Sequence, residues 1–211
     1  MNLEKLIQAG LKSISKMKNL VIDGNIKMGK KVGIFNLPPK KTCTPTQWCL
    51  SGNNGKPKCY ALRNNFLLPN VIKGMEDRYQ ESLQDDFVQR ISDEINHKAI
   101  KYFRIHSSGD FYSKEYVQKW IKIAQNCPNT LFRSTTRRRD LSSTLRQLNS
   151  LSNVIIRESL DSSRQKPKMN LPIAAISNID IVQNSYKCID DCVKCQYTCW
   201  KNRDNVALDE T

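Results

Sequence analysis

KYFRIHSSGDFYSKEYVQKWIKIAQNCPNTLFRSTTRRR, residues 101–139, is the stretch whose reading decides the fold. Residues 101–106 read as a strand, and Ser107 to Asp110 as the loop at its C-terminal end. EYVQKWIKIAQ has helical spacing and is ended by Asn126 to Asn129; TLFRSTTRRR (130–139) is the next strand and loop. A strand, a crossover helix and a second strand in about thirty residues is the unit that joins parallel strands.

The same alternation extends in both directions. Upstream, VGIFNLPP (32–39) reads as a strand ended by Pro38 and Pro39. After a cysteine-bearing loop, YALRNNFLL begins a helical pattern. Residues 71–98 read as one long helix, with Ile72, Met75, Tyr79, Leu83, Phe87, Ile91 and Ile95 three or four apart. Downstream, DLSSTLRQLNSL is a helix opened by Asp140 as N-cap, NVIIRESL (153–160) a strand, DSSRQKPKMN a polar loop, and LPIAAISN (171–178) a further strand. The expectation is an α/β protein: a partial (β/α) barrel or open parallel sheet with cysteine-rich loops at the strand C-terminal ends. Five or so units are too few for a closed eight-fold barrel. The expected division is an N-terminal helix or basic arm over 1–30, the barrel domain over 31–180, and a cysteine-rich metal-binding tail over 181–211.

Seven of the eight cysteines fall into two groups. The tail KCIDDCVKCQYTCW (187–200) holds Cys188, Cys192, Cys195 and Cys199 in a C-x3-C-x2-C-x3-C spacing. Thiolates this close converge on one metal with little loop-closure cost, and such spacings are typical of zinc and iron–sulfur ligation. Local disulfides are the alternative, but the opening MNLEKLIQAG carries no signal peptide, so a reducing, cytoplasmic setting is expected. The front group, Cys43, Cys49 and Cys59, is one thiolate short of a closed tetrahedral site, which implies an open coordination position or a ligand from elsewhere. Cys127 stands alone and reads as a small buried residue.

The chain has 211 residues, 39% hydrophobic, and a net charge of +14, with a pI of about 9.5. No apolar run approaches the length of a membrane span. The positive charge points to a polyanion partner, DNA or RNA, with Arg133, Arg137, Arg138, Arg139 and Arg157 as the candidate phosphate contacts. A solvated basic surface is the alternative. In parallel α/β folds, chemistry gathers at the strand C-terminal ends, where this chain places His106, Ser108, Gly109, Asp110, Ser134, Thr135 and Glu158. His106 reads equally as a structural histidine or a proton donor. Asp110 reads as the cap of the helix beginning near Ser113 or as the partner of a bound amino group.

The C…C…CYA segment (Cys43, Cys49, Cys59-Tyr60-Ala61), RIHSSGDFYSKEY (104–116) and the tail ending Cys199-Trp200 together resemble the phage-associated "gene product 88" family over roughly residues 30–200. That family is in turn similar to radical S-adenosylmethionine enzymes, whose partial barrel carries a three-cysteine loop after the first strand. The resemblance implies that Cys43, Cys49 and Cys59 hold a 4Fe-4S cluster with Tyr60 alongside. It implies that Ser108-Gly109-Asp110 stand where a Gly-Gly-Glu-like motif holds the amino group of S-adenosylmethionine, with Ser134 and Thr135 as further cofactor contacts. The tail cysteines then hold a second cluster or zinc. The front spacing, C-x5-C-x9-C, departs from the usual C-x3-C-x2-C, which occurs instead within the tail. A third arrangement has front and tail sharing one centre. The function expected is an iron–sulfur, radical S-adenosylmethionine-like enzyme acting on a nucleic acid or nucleotide, encoded by a phage or mobile element and located in a prokaryotic cytoplasm. The alternatives are a zinc-stapled nucleic-acid-binding protein without catalysis and a metal-dependent nuclease using His106, Asp110 and Glu158.

Overall fold

The computed structural model describes residues 19–52, 55–161, 165–176 and 179–208. The helix expected near the N-terminus therefore lies, up to residue 18, outside the described residues. Eight strands form one open sheet in the order β1-β2-β3-β4-β5-β6-β8-β7. They are β1 (Ile22–Asp23), β2 (Val32–Ile34), β3 (Tyr102–Arg104), β4 (Leu131–Thr136), β5 (Val154–Leu160), β6 (Ile173–Ile176), β7 (Tyr186–Lys187) and β8 (Val206–Leu208). Among the described residues, only the β1–β2 pair is antiparallel.

From β2 to β6 the spatial order follows the chain order. Successive right-handed crossovers in one direction must all lie on the same face of the sheet. That face carries α2 (Pro69–Leu83) and α3 (Phe87–His97) after β2, α4 (Lys114–Asn126) after β3 and α5 (Ser142–Asn149) after β4. The core lies beneath them: Phe87, Ile91, Trp120, Ile123 and Leu145 pack against Phe35, Phe103, Phe132 and Ile156 of the strands. Each such side chain contributes about 1.5–3 kcal/mol by leaving water.

The end of the chain packs on the opposite face. The cysteine-rich segment returns to add β7 and β8 to the sheet, and its short helix α6 (Thr198–Lys201) lies against β4 and β5. Trp200 and Cys199 pack there on Val32, Ile34 and Tyr102. Trp200 Nε1 donates to Phe103 O at 3.0 Å, and Arg157 of β5 donates to Cys199 O, Asn202 O and Asp204 O.

Several local expectations are corrected. The long helix over 71–98 is two helices, broken at Gln84, which is extended. Lys119 of α4 explains the break: its ammonium donates to Ser82 O at 2.8 Å and Gln84 O at 3.0 Å, satisfying carbonyls at the end of α2. Asp140 does not cap α5; it pairs with Arg138, and a 3-10 turn at Arg139–Leu141 leads into the helix. Residues 60–67 form two 3-10 turns separated by an extended Arg63, the second opening on a left-handed Asn64. The cap of α4 is Ser113, whose hydroxyl accepts from Tyr116 N; Asp110 has another task.

Candidate functional site

A cleft of about 1020 Å³ opens at the strand C-terminal ends, with Asn70, Val71, Gly74, Met75 and Arg78 of α2 in its wall. Strand alternation decides what reaches it. From β3 and β4 come Arg104, Arg133 and Thr135, and from β5 Arg157 and Ser159. Cys43, Cys49 and Cys59 lie along its rim, on the excursion between β2 and α2.

That excursion is tied down by named contacts. Thr46 caps α1 (Gln47–Ser51): its Oγ1 accepts from Cys49 N, lies 3.4 Å from Cys49 Sγ, and donates to Asp161 Oδ2 at 2.5 Å. Cys59 N donates to Cys49 O, so the two cysteines are held side by side. Tyr60, next in sequence, donates to Ser107 O and accepts from Arg104 Nη2 at 3.0 Å, which fastens the loop to the end of β3. Cys49 is the acidic thiol: the Cys59 S–H donating to it, then the Arg137 guanidinium and Thr46, push it down to about 5 against the opposing effect of burial. Cys59 is pushed up in turn, and burial raises Cys43 to about 11. Cys43 interacts electrostatically with both of the others. All eight cysteines are free thiols.

The tail cysteines form their own group. Cys192 interacts with Cys195, Cys188 and Cys199, and Cys188 with Cys199. Burial raises Cys188 and pushes Cys192 up to about 11. Among the described residues, no three His, Cys, Asp or Glu side chains have donor atoms gathered closely enough to hold a metal as they stand.

A family model, Gene product 88, matches residues 6–204. The chain belongs to that family. The gene product 88 match spans both cysteine groups and every strand but β8. No curated protein and no solved structure is significantly similar to the chain. No helix among the described residues is long and apolar enough to cross a membrane.

Within this gene product 88 fold, most of the expected site residues line the cleft, His106, Ser108, Gly109 and Asp110 among them, whereas Ser134, Arg138, Arg139 and Glu158 do not. Asp110 is buried, and its carboxylate accepts from Thr136 Oγ1 at 2.7 Å, Phe111 N at 2.8 Å and Arg137 N at 3.0 Å. Burial raises its pKa in spite of these bonds. It braces the loops after β3 and β4 and also lines the cleft, where Oδ2, with one of these bonds against two on Oδ1, keeps acceptor capacity. Glu158 is fully buried on the helix side, paired with Arg139 Nε at 2.8 Å and accepting from Lys168 N and Met169 N. His106 packs on Phe111 and Trp120, and its Nε2 lies 3.0 Å from Tyr116 Oη. Burial, then Arg104, lowers it to about 3, so the ring is neutral. Of the three residues of the nuclease reading, His106 and Asp110 line the cleft, whereas Glu158 is paired with Arg139 on the helix side. Ser134 occupies the helix-facing register of β4, beside Phe132, whereas Thr135 faces the cleft.

The arginines divide likewise. Arg138 pairs with Asp140 and donates to Phe111 O; Arg139 pairs with Glu158; Arg157 holds the tail. Of the 137–139 run, only Arg137 lines the cleft, 3.4 Å from Asp161. Gly109 has φ +87°, and a Cβ there would lie 2.5 Å from Leu37 Cβ. The loop after β3 can therefore sit against β2 only with glycine at this position. Asn36 Oδ1 accepts from both Ser107 N and Ser108 N.

Asp161, Thr46, Asn36 and Arg104 were not singled out from the sequence. Asp161 carried a usable signal, since it directly follows the polar end of β5. Arg104 lies inside a strand, where only alternation marks it as facing the cleft.

Proposed function

We propose that this chain is an iron–sulfur enzyme of the radical S-adenosylmethionine type, built on a partial (β/α) barrel and acting on a nucleotide or nucleic acid. The observation that carries this reading is the gathering of Cys43, Cys49 and Cys59 after the first parallel strand, at the rim of the cleft. The donor chemistry fits a cluster: three free thiols, one already acidic, with one coordination position left over. Such a cluster, when bound, supplies a single electron to a sulfonium cofactor.

The chain's own residues position the reactants. Thr46 and Arg137 favour the Cys49 thiolate. Tyr60 and Arg104 join the cysteine loop to the end of β3. A bound amino group would meet Asp110 Oδ2, which lines the cleft and accepts only from Arg137 N. The cleft lining holds Lys40, Lys58, Arg104, Arg133 and Arg137, which supports an anionic substrate such as a phosphate ester.

The test is iron, sulfide and zinc analysis with a visible spectrum on anaerobically purified protein. Broad visible absorption with about four irons per centre is expected. In Cys49→Ala, the front cluster and its share of the iron should be lost. A colourless chain containing zinc alone would overturn the proposal in favour of a zinc-stapled binding module.

A further inference from the structure

Arg133 and Arg157 pose a charge problem that the front cysteines do not answer. Arg157 is 2% exposed. Its three hydrogen bonds go to backbone carbonyls, which supply dipoles but no charge. The Arg133 guanidinium lies 4.2 Å from the centroid of the Trp200 ring, and its buried Nε has no partner. Among the described residues, neither guanidinium forms an ion pair with a carboxylate. Two cations left uncompensated away from water are costly, several kcal/mol each. Thiols act electrostatically on both, Cys199, Cys192 and Cys188 on Arg133 and Cys199 on Arg157; Asp204 is a further, lesser anion for Arg157, and Arg104 adds positive charge beside Arg133.

The loop bearing those thiols is itself folded in a costly way. Asp190, Gln196 and Tyr197 all adopt left-handed backbone with φ of 57°, 53° and 60°. Three non-glycine residues there within eight positions hold strain of about 1 kcal/mol or more each. The result is a tight reversal, with Tyr197 N donating to Cys192 O at 2.9 Å and Thr198 N to Cys195 O at 3.3 Å. It keeps Cys188, Cys192 and Cys199 near Arg133, with Cys195 beside Cys192, although the four side chains as they stand are not drawn in to metal-ligand distance.

We propose that Cys188, Cys192, Cys195 and Cys199 bind metal as a closed four-thiolate centre whose charge is neutralised by Arg133 and Arg157. Four thiolates around Zn2+ carry a net charge of −2, as do four around a [4Fe–4S]2+ cluster, and the two guanidiniums supply +2. Binding releases four thiol protons to solvent and involves no oxidation or reduction. A closed four-thiolate set is a structural centre, with no position open to substrate. It fastens the tail across the inner face of the sheet, and it is independent of the chemistry proposed at the front triad.

The experiment uses the full-length chain with Cys43, Cys49 and Cys59 all replaced by Ser, so that only the tail can hold metal. One zinc per chain, or about four irons with sulfide, is expected after purification, and the two results distinguish the two sources. Absence of both, together with failure of the chelator-treated chain to develop the charge-transfer absorption of a tetrahedral Co2+ thiolate, overturns the proposal. Cys192→Ser with Cys195→Ser in the same background should abolish Co2+ binding. Arg133 is tested without disturbing the ligands. Arg133→Met should weaken Co2+ affinity about tenfold or more, since one charge loses its partner, whereas Arg133→Lys should retain most of it. Equal affinity in wild type, Met and Lys overturns the charge-neutralising role. Because the front cysteines are absent throughout, failure here leaves the test of the front cluster separate.

Discussion

At the residue scale, burial and partners decide what each polar group can do. His106 is held neutral with its pKa lowered to about 3. A histidine whose folded pKa lies below its unfolded value of 6.5 contributes stability that is complete above pH 6.5 and is lost as pH falls toward 3. Between pH 7 and pH 4.5 this one site should cost about 2–3 kcal/mol of unfolding free energy. His106→Gln, which can still bond Tyr116, is expected to lose that much less on acidification, read from urea melts at the two pH values. An equal loss in both proteins would show that His106 is not the group responsible. Gly109→Ala places a Cβ against Leu37 at a positive φ. It should destabilise by about 2–4 kcal/mol, visible as a lower denaturation midpoint, and a change within 0.5 kcal/mol, roughly that of an ordinary surface substitution, would mean the loop relaxes away from β2.

At the element scale, single long side chains hold elements in place. Lys119 links the end of α2 to α4 through two carbonyls. Lys119→Met keeps most of the apolar stem and removes those bonds, so a loss of about 1 kcal/mol is expected in equilibrium unfolding. Arg157 has the larger role, reaching three carbonyls of the returning tail. Arg157→Met should cost about 3 kcal/mol or more, and hydrogen exchange should accelerate first in β8 and α6 while α3 and α4 keep their protection. Uniform acceleration across the chain would show that the tail is no separate unit of local opening. The helix break at Gln84 belongs to the same scale. Apolar spacing over 71–98 continues through it, so periodicity alone shows one helix, and the lysine that ends α2 lies 35 residues further on.

At the scale of the whole molecule, a net charge of +14 meets a cleft whose lining is also basic. If the partner is a nucleic acid, affinity must fall steeply with salt, because each neutralised phosphate releases counterions. Anisotropy titrations with a single-stranded oligonucleotide should give a log–log slope of about −0.7 per phosphate contact. Arg104→Gln should make that slope shallower by about one contact. Salt-independent binding, or none, would remove nucleic acid as the partner and leave a small anionic substrate for the cleft. Surface ion pairs such as Lys73–Asp77 contribute little to either outcome.

The alternation of strands and helices from β2 to β6, the parallel sheet and the segregation of the cysteines into two groups follow from the amino-acid sequence by itself. Each is written in local terms: apolar runs bounded by prolines and polar turns, helical spacing between them, and thiols a few residues apart. The tertiary structure alone decided which residues meet. Asp110 reaches Thr136, Arg139 reaches Glu158, and Arg157 reaches the carbonyls of residues 199–204. These pairings arise from strand register and from the tail folding back over the sheet. Alternation along a strand shows that neighbouring residues face opposite ways, but not which face the helices cover or what covers the other. For that reason polar strand-end residues that look alike in sequence part in space, Asp110 and Thr135 lining the cleft and Glu158 buried with Arg139.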